Sequence, residues 1–247
     1  MLIESVKNKN IVIVGATGAG KTALAISLAK KSGGEIISAD SRAVYKGMDI
    51  GTAKPSPEER AGILHYGFDL VRPDEKFNVY DFQQYALHKI SEIRKREKRP
   101  IIVGGTGLYV DALIYEYDFS EESKKNYTNR HAISDDYVVI GLNPERSVLR
   151  ARLKQRIDTM FQQGIIEETK RLLEVYPVEL AAFKANIYAV VIDYLAGKID
   201  LETAKTQAFY RDWSLVRRQL TWFRRNPNIT WLETPKQALD YLLGPDK

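Results

Sequence analysis

Along the chain, short runs of consecutive apolar residues alternate with longer stretches in which apolar positions recur every three or four residues. Ile11-Val12-Ile13-Val14, Ile36-Ile37, Ile101-Ile102-Val103, Val138-Val139-Ile140 and Ile229-Thr230-Trp231-Leu232 have strand length. Unbroken runs of this kind suit strands covered on both faces of a parallel sheet. Helical periodicity fills the intervals. It follows Ala23, spans about Val79 to Lys98 with Phe82, Tyr85, Ala86, Ile90 and Ile93 near one face, and opens again at Pro144 until Gly164 breaks it. Further helices are predicted at Ile165 to Tyr176, Phe183 to Ala196, Leu201 to Arg225 and Lys236 to Leu243. The alternation predicts an α/β fold with a mostly parallel five-stranded sheet and helices on both faces. Residues 1–141 and 197–247 would form the core, and 142–196 a reduced helical accessory region.

Two stretches interrupt the pattern. Lys46 to Pro55 is punctuated by glycine and proline and reads as a loop. Glu116 to Asp136 is polar with no period, and a structureless stretch of this length inside a compact domain is unusual.

The densest chemical signal is Gly15-Ala16-Thr17-Gly18-Ala19-Gly20-Lys21-Thr22, between the first strand and the first helix. Glycines there let successive amides and the positive end of the helix point at one anion. Lys21 would add a point charge to the terminal phosphate and Thr22 a hydroxyl for magnesium. The second strand ends on Asp40, which a parallel sheet carries to the same crevice, although an Asp also starts turns and caps helices. An ATPase usually ends its third strand in a carboxylate. Here that strand runs into Gly104-Gly105-Thr106-Gly107, which leaves Asp40 as the main acid near the phosphates and suggests close approach of a ligand at the glycines.

Composition narrows the class. In 247 residues there is no cysteine, so disulfides and thiolate metal sites are excluded, and no run approaches the roughly 20 apolar residues that span a bilayer. The first ten residues also lack the apolar core of a signal peptide, so a cytoplasmic protein with no membrane association is expected. The net charge of +5 is compatible with a polyanionic partner without requiring one. Arg211, Arg218 and Arg225 recur every seven residues and share a helix face, with Arg217 and Arg224 beside it, which suits either solvent or a polyanion.

Taken together these residues resemble the tRNA dimethylallyltransferase family, also called tRNA isopentenyltransferases. Five stretches in order carry the resemblance: Gly15 to Thr22; Ile37 to Tyr45 with Met48 to Pro55; Pro100 to Tyr109; Arg156-Ile157-Asp158-Thr159-Met160 with Gly164; and Arg218-Gln219-Leu220-Thr221-Trp222-Phe223-Arg224. The resemblance implies a P-loop NTPase-like three-layer fold. It implies that Gly15, Ala16, Thr17, Gly18, Ala19, Gly20, Lys21 and Thr22 hold the diphosphate of dimethylallyl diphosphate rather than ATP. The acceptor would be the N6 amine of the adenosine 3′ of the anticodon in tRNA, with Asp40 as general base and Thr106 touching the substrate nucleotide. Arg218, Lys21 and Mg2+ on Thr22 would stabilise the departing diphosphate. Asp40, Ser41, Arg42 and Ala43, and Gln155, Arg156, Ile157, Asp158 and Thr159, match stretches that touch tRNA. A monomer is expected.

The chain also departs from that family. Members usually carry a helical insertion ahead of the fourth strand, where this chain has only Glu116 to Asp136. It has Asp212-Trp213 for a common Thr-Arg, Ile187-Tyr188-Ala189-Val190 for Gly-Tyr-Lys/Arg-Glu, Ala16 for a proline, and Tyr66 for a second histidine after His65. Three alternatives therefore stay open at this point: transfer to free adenine nucleotide, a small-molecule kinase, and an RNA-binding relative without turnover.

Overall fold

The computed structural model describes residues 2–119, 133–184 and 186–244. Strand β1 (Asn10–Gly15) feeds through the glycine-rich loop into helix α1 (Lys21–Ser32), and β2 (Gly34–Ser38) follows. Next come α2 (Pro57–Arg60), β3 (His65–Tyr66), α3 (Val79–Lys95), β4 (Arg99–Val103) and α4 (Gly107–Ile114). Most of the polar stretch predicted at Glu116 to Asp136, namely 120–132, lies outside the described residues. Beyond it are β5 (Tyr137–Leu142), α5 (Arg146–Gln162), α6 (Ile165–Val175) and α7 (Asn186–Leu195). The chain closes with α8 (Leu201–Phe223), β6 (Thr230–Leu232) and α9 (Pro235–Leu243).

Among the described residues the sheet has six strands, in the order β3-β2-β4-β1-β5-β6, and every pair is parallel. The expected five-stranded sheet is thus one strand short. The missing strand is β3, whose two half-buried residues pair Ile36 with His65 and Ile37 with Tyr66 at the sheet edge. Two residues carry no alternation, so no periodicity could mark them.

The apolar runs are continuous because both sheet faces are covered. Ile11, Ile13, Ile36, Ile101, Ile140 and Leu142 pack on one face with Leu24 and Leu28 of α1 and Val216 of α8. Val12, Val14, Ile37, Ile102 and Val139 pack on the other with Phe82 and Ile93 of α3 and Val110 of α4. A third cluster, away from the sheet, joins Ile157, Met160, Ile165, Leu172, Phe183, Ile187 and Val191 of the segment α5 to α7 with Met48 and Ala208. Met48 brings the Lys46 to Pro55 loop against those helices.

Helix ends follow local chemistry. Asn78 caps α3 with a reciprocal bond from Asp81, and Thr234 caps α9 with Pro235 at the first helical position. α3 stops three residues before the predicted Lys98, and α8 stops at Phe223, which leaves Arg224 and Arg225 exposed beyond it.

Candidate active site

The carboxyl ends of β1, β2 and β4 open on one cavity of about 1360 Å³. From the phosphate loop, Thr17, Gly18, Gly20, Lys21 and Thr22 line it. Gly20 precedes α1 with φ 96°, a left-handed conformation that costs other residues energy, and this turn presents the first amides of the helix to the cavity. Gly15, Ala16 and Ala19 are buried behind that surface and shape the loop through backbone.

Lys21 is half-buried, and its Nζ donates to the Ala16 carbonyl at 2.8 Å. Desolvation pushes its pKa down to about 8; the Asp40 carboxylate opposes the push and Arg156 reinforces it. An anion in the loop would reverse it, because a nearby negative charge favours the ammonium.

Asp40, Ser41, Arg42 and Ala43 follow β2 along the cavity. Asp40 Oδ1 accepts the Arg42 amide at 2.8 Å, an Asx-type turn that leaves its other oxygen without a protein donor among the described residues. Thr106 ties this turn to the end of β4. Its Oγ1 accepts the Ser41 amide at 3.0 Å and donates to Ser41 Oγ at 3.2 Å, while its amide donates to the Ala39 carbonyl at 3.3 Å. Thr106 therefore positions the acid-bearing turn as well as facing the cavity.

The glycines beside Thr106 line the cavity, as expected, and also let protein approach closely. A Cβ on Gly105 would strike the Gln219 side chain, one on Gly107 the Trp222 indole, and one on Gly104 the Ala39 backbone. These positions admit protein closely on one side while their backbone also lines the cavity. Gln219, buried on α8, accepts the Thr17 amide at 2.8 Å through Oε1 and donates from Nε2 to the Gly105 carbonyl at 3.1 Å. One side chain thus clamps the phosphate loop to the turn that holds Thr106. Trp222 packs over Gly107 and donates from Nε1 to Asp111 Oδ2 at 3.0 Å.

Cationic groups converge on the cavity from two helices. α5 supplies Arg152, which donates to the Gly18 carbonyl at 3.2 Å, and half-buried Arg156; α8 supplies Arg211 and Arg218, the latter donating to Ser214 Oγ at 2.8 Å. Arg225, predicted to share their face, lies past the helix end. Asp212 and Trp213, where the family commonly has Thr-Arg, do not belong to this lining. Trp213 faces the core, with the guanidinium carbons of Arg146 and Arg150 at 5.7 Å and 5.2 Å from its ring. Asp212 is buried, which raises its carboxyl pKa against the opposing effect of Arg156.

The stretch Gln155 to Thr159 divides. Arg156 lines the cavity and Gln155 is exposed, but Ile157 is 3 % exposed inside the third hydrophobic cluster and cannot offer its side chain to a ligand. Asp158 pairs with Lys205 of α8 at 3.5 Å, and Thr159 is half-buried outside the cavity lining. Helical periodicity sends adjacent residues to different faces, so a contiguous motif cannot all face one ligand.

For a magnesium ion, the Thr22 hydroxyl and the Asp40 carboxylate face the same cavity. Among the described residues no group of three or more His, Cys, Asp or Glu is arranged to hold a metal. That donor set fits magnesium, which commonly takes one or two protein oxygens and completes its shell from phosphates and water. No helix among the described residues is long and apolar enough to cross a membrane.

The family model described as IPP transferase matches residues 43–135 and 118–226. The two matches overlap at the polar stretch, where the sequence predicts a missing insertion. The tRNA dimethylallyltransferase of Alkaliphilus oremlandii is 37% identical over 285 aligned positions, covering 91% of this chain and 91% of the relative. Those positions outnumber the 247 residues of the chain, so the relative carries residues with no counterpart here. Among solved structures, the full-length tRNA isopentenylpyrophosphate transferase of Bacillus halodurans is 35% identical with a TM-score of 0.81, over 92% of this chain and 90% of that one. The tRNA delta(2)-isopentenylpyrophosphate transferase of Staphylococcus epidermidis is 31% identical with a TM-score of 0.82, over 94% and 97%. Kinase and free-nucleotide readings find no support among these relatives. With identity of this level sustained across nearly the whole chain, the protein belongs to the tRNA dimethylallyltransferase family.

Proposed function

We propose that this chain transfers the dimethylallyl group of dimethylallyl diphosphate to the N6 amine of the adenosine 3′ of the anticodon in tRNA. The observation that carries the reading is that a phosphate loop with its lysine, a free carboxylate oxygen of Asp40, and the guanidinium groups of Arg156, Arg211 and Arg218 share one cavity. Breaking the carbon–oxygen bond puts positive character on the allyl group and negative charge on the departing diphosphate. Loop amides, Lys21 and Arg218 are preorganised to stabilise that charge. As the carbon–nitrogen bond forms, the N6 proton becomes acidic and passes to Asp40, so a carboxylate within hydrogen-bond reach is sufficient.

Thr106 holds the Asp40 turn and meets the nucleotide; Ser41, Arg42, Gln155 and Arg156 are the tRNA contacts that their exposure and cavity position favour. Magnesium on Thr22, when bound, supplies further charge neutralisation at the diphosphate. The target base must leave its stack to reach Asp40, and such extrusion costs a few kcal/mol, about what one or two good contacts return. Helices of 142–196 would form the accessory wall of the site. tRNA as acceptor supports a cytoplasmic enzyme.

The test is transfer of labelled dimethylallyl from its diphosphate, with magnesium, to unmodified tRNA and to AMP in parallel. Label in tRNA is the expected outcome. Label in AMP alone would replace the acceptor, and label in neither would end the enzymatic reading.

A further inference from the structure

Segment 48–55 forms another part of the cavity wall, to which Met48 and the run from Gly51 to Pro55 contribute. Its backbone is gathered from behind by one acid more than a hundred residues away in sequence. Glu168 of α6 is 3 % exposed; its Oε2 accepts the amides of Asp49 at 3.1 Å and Ile50 at 2.8 Å, and its Oε1 accepts the Gly51 amide at 3.1 Å and the Tyr188 hydroxyl at 2.6 Å. A Cβ on Gly51 would collide with the Tyr188 ring, so the glycine admits the tyrosine to this bond. Burial and the adjacent Glu168 push the Tyr188 hydroxyl far above its ordinary range, which keeps it a donor.

The same wall reaches the acid-bearing turn. Arg42, two residues after Asp40, donates from Nη1 to the Ala181 carbonyl at 3.3 Å, just ahead of α7. Lys54, which lines the cavity as well, donates from Nζ to the Tyr45 carbonyl, Asp49 Oδ1 and Asp69 Oδ1, each at 2.7 Å. Among the described residues, no hydrogen bond links these groups to the phosphate loop, whose partners include Gln219 and Arg152.

We propose that Glu168 is a positioning residue for the acceptor: by collecting three consecutive amides and the Tyr188 hydroxyl, it sets segment 48–55, with Arg42 beside it, at the spacing from Asp40 that admits a tRNA loop. The proposal rests on the prenyl-transfer reading above and deepens it by separating the two substrates. Removing the carboxylate leaves four donors without their acceptor, and buried unpaired donors drive a segment toward water. The wall then swings away from the acceptor side while the diphosphate side, clamped by Gln219, stays in place.

The experiment measures equilibrium binding of unmodified tRNA and of dimethylallyl diphosphate, separately, to the wild type, Glu168→Ala, Glu168→Gln and Tyr188→Phe. Glu168→Ala is expected to lose about tenfold in tRNA affinity with diphosphate affinity changed by less than about twofold. Glu168→Gln, which keeps one acceptor oxygen, should recover part of the loss, and Tyr188→Phe should fall between the two. Unchanged tRNA affinity in Glu168→Ala, or an equal loss for both ligands, would overturn the inference. A wild type that binds the diphosphate and no tRNA would instead end the acceptor assignment beneath it.

Discussion

The two ends of the cavity are built in opposite ways. At the phosphate end, eight consecutive residues supply the amides, the lysine and the hydroxyl, and a strand and a helix in direct continuity aim them. At the acceptor end, the Asp40 turn is held by Thr106 from β4, Arg42 reaches the segment ahead of α7, and Glu168 holds segment 48–55 of the wall. Contiguous sites survive as motifs, whereas assembled sites depend on long-range hydrogen bonds that no short stretch encodes. Gln219 joins the two ends, with one bond to Thr17 and one to Gly105.

The comparison makes substitutions at the two ends separable. The largest effect is expected at the acceptor end, from Asp40→Ala: transfer should fall by about 10² to 10⁴, the usual share of a general base, with diphosphate affinity nearly intact. Single-turnover assays beside direct diphosphate binding would check this, and near-normal turnover would remove the base assignment. At the phosphate end, Lys21→Ala should weaken binding and turnover together, with about 10² to 10³ lost in rate, comparable to deleting one preorganised donor. A loss in rate alone would break the contrast between the ends.

Gln219→Ala should spread across both, because the Thr17 amide and the Gly105 carbonyl lose their partners at once. A stability loss of about 1–3 kcal/mol, read by denaturant titration, is expected along with weaker binding of both substrates. The smallest effect is the pH dependence of diphosphate binding. Lys21 is pushed down to about 8 in the free protein, and an anion favours its charged form. Affinity should therefore hold below that pH and fall above it, by up to about tenfold per pH unit until the pKa of the bound form is reached. In Lys21→Met this fall should vanish, and its persistence would assign the titration to another group.

The fold was readable where its determinants were local. Five apolar runs marked five strands, and α9 opens at Pro235, within one residue of the predicted start. β3 escaped because two polar-edged residues earn strand status only by pairing with Ile36 and Ile37. The glycines at 104, 105 and 107 were only partly legible for a related reason. A glycine reports close approach without naming what approaches, and here the visitors are Ala39, Gln219 and Trp222. A buried glutamine between Arg218 and Leu220 is itself unusual enough in a helix core to flag Gln219, yet its two partners lie 202 and 114 residues away.

By itself, then, the sequence determined that this protein alternates strands and helices, carries a glycine-rich loop after its first strand, and places a carboxylate at the end of its second. Those properties follow from periodicity and from short-range backbone geometry, which act over a few residues. Tertiary structure alone decided which arginines face the cavity, that Ile157 and Trp213 turn into the core, and that Glu168 and Gln219 hold different parts of the wall. Side-chain direction on a helix and the pairing of buried polar groups depend on what packs opposite, and that is settled only when distant segments meet.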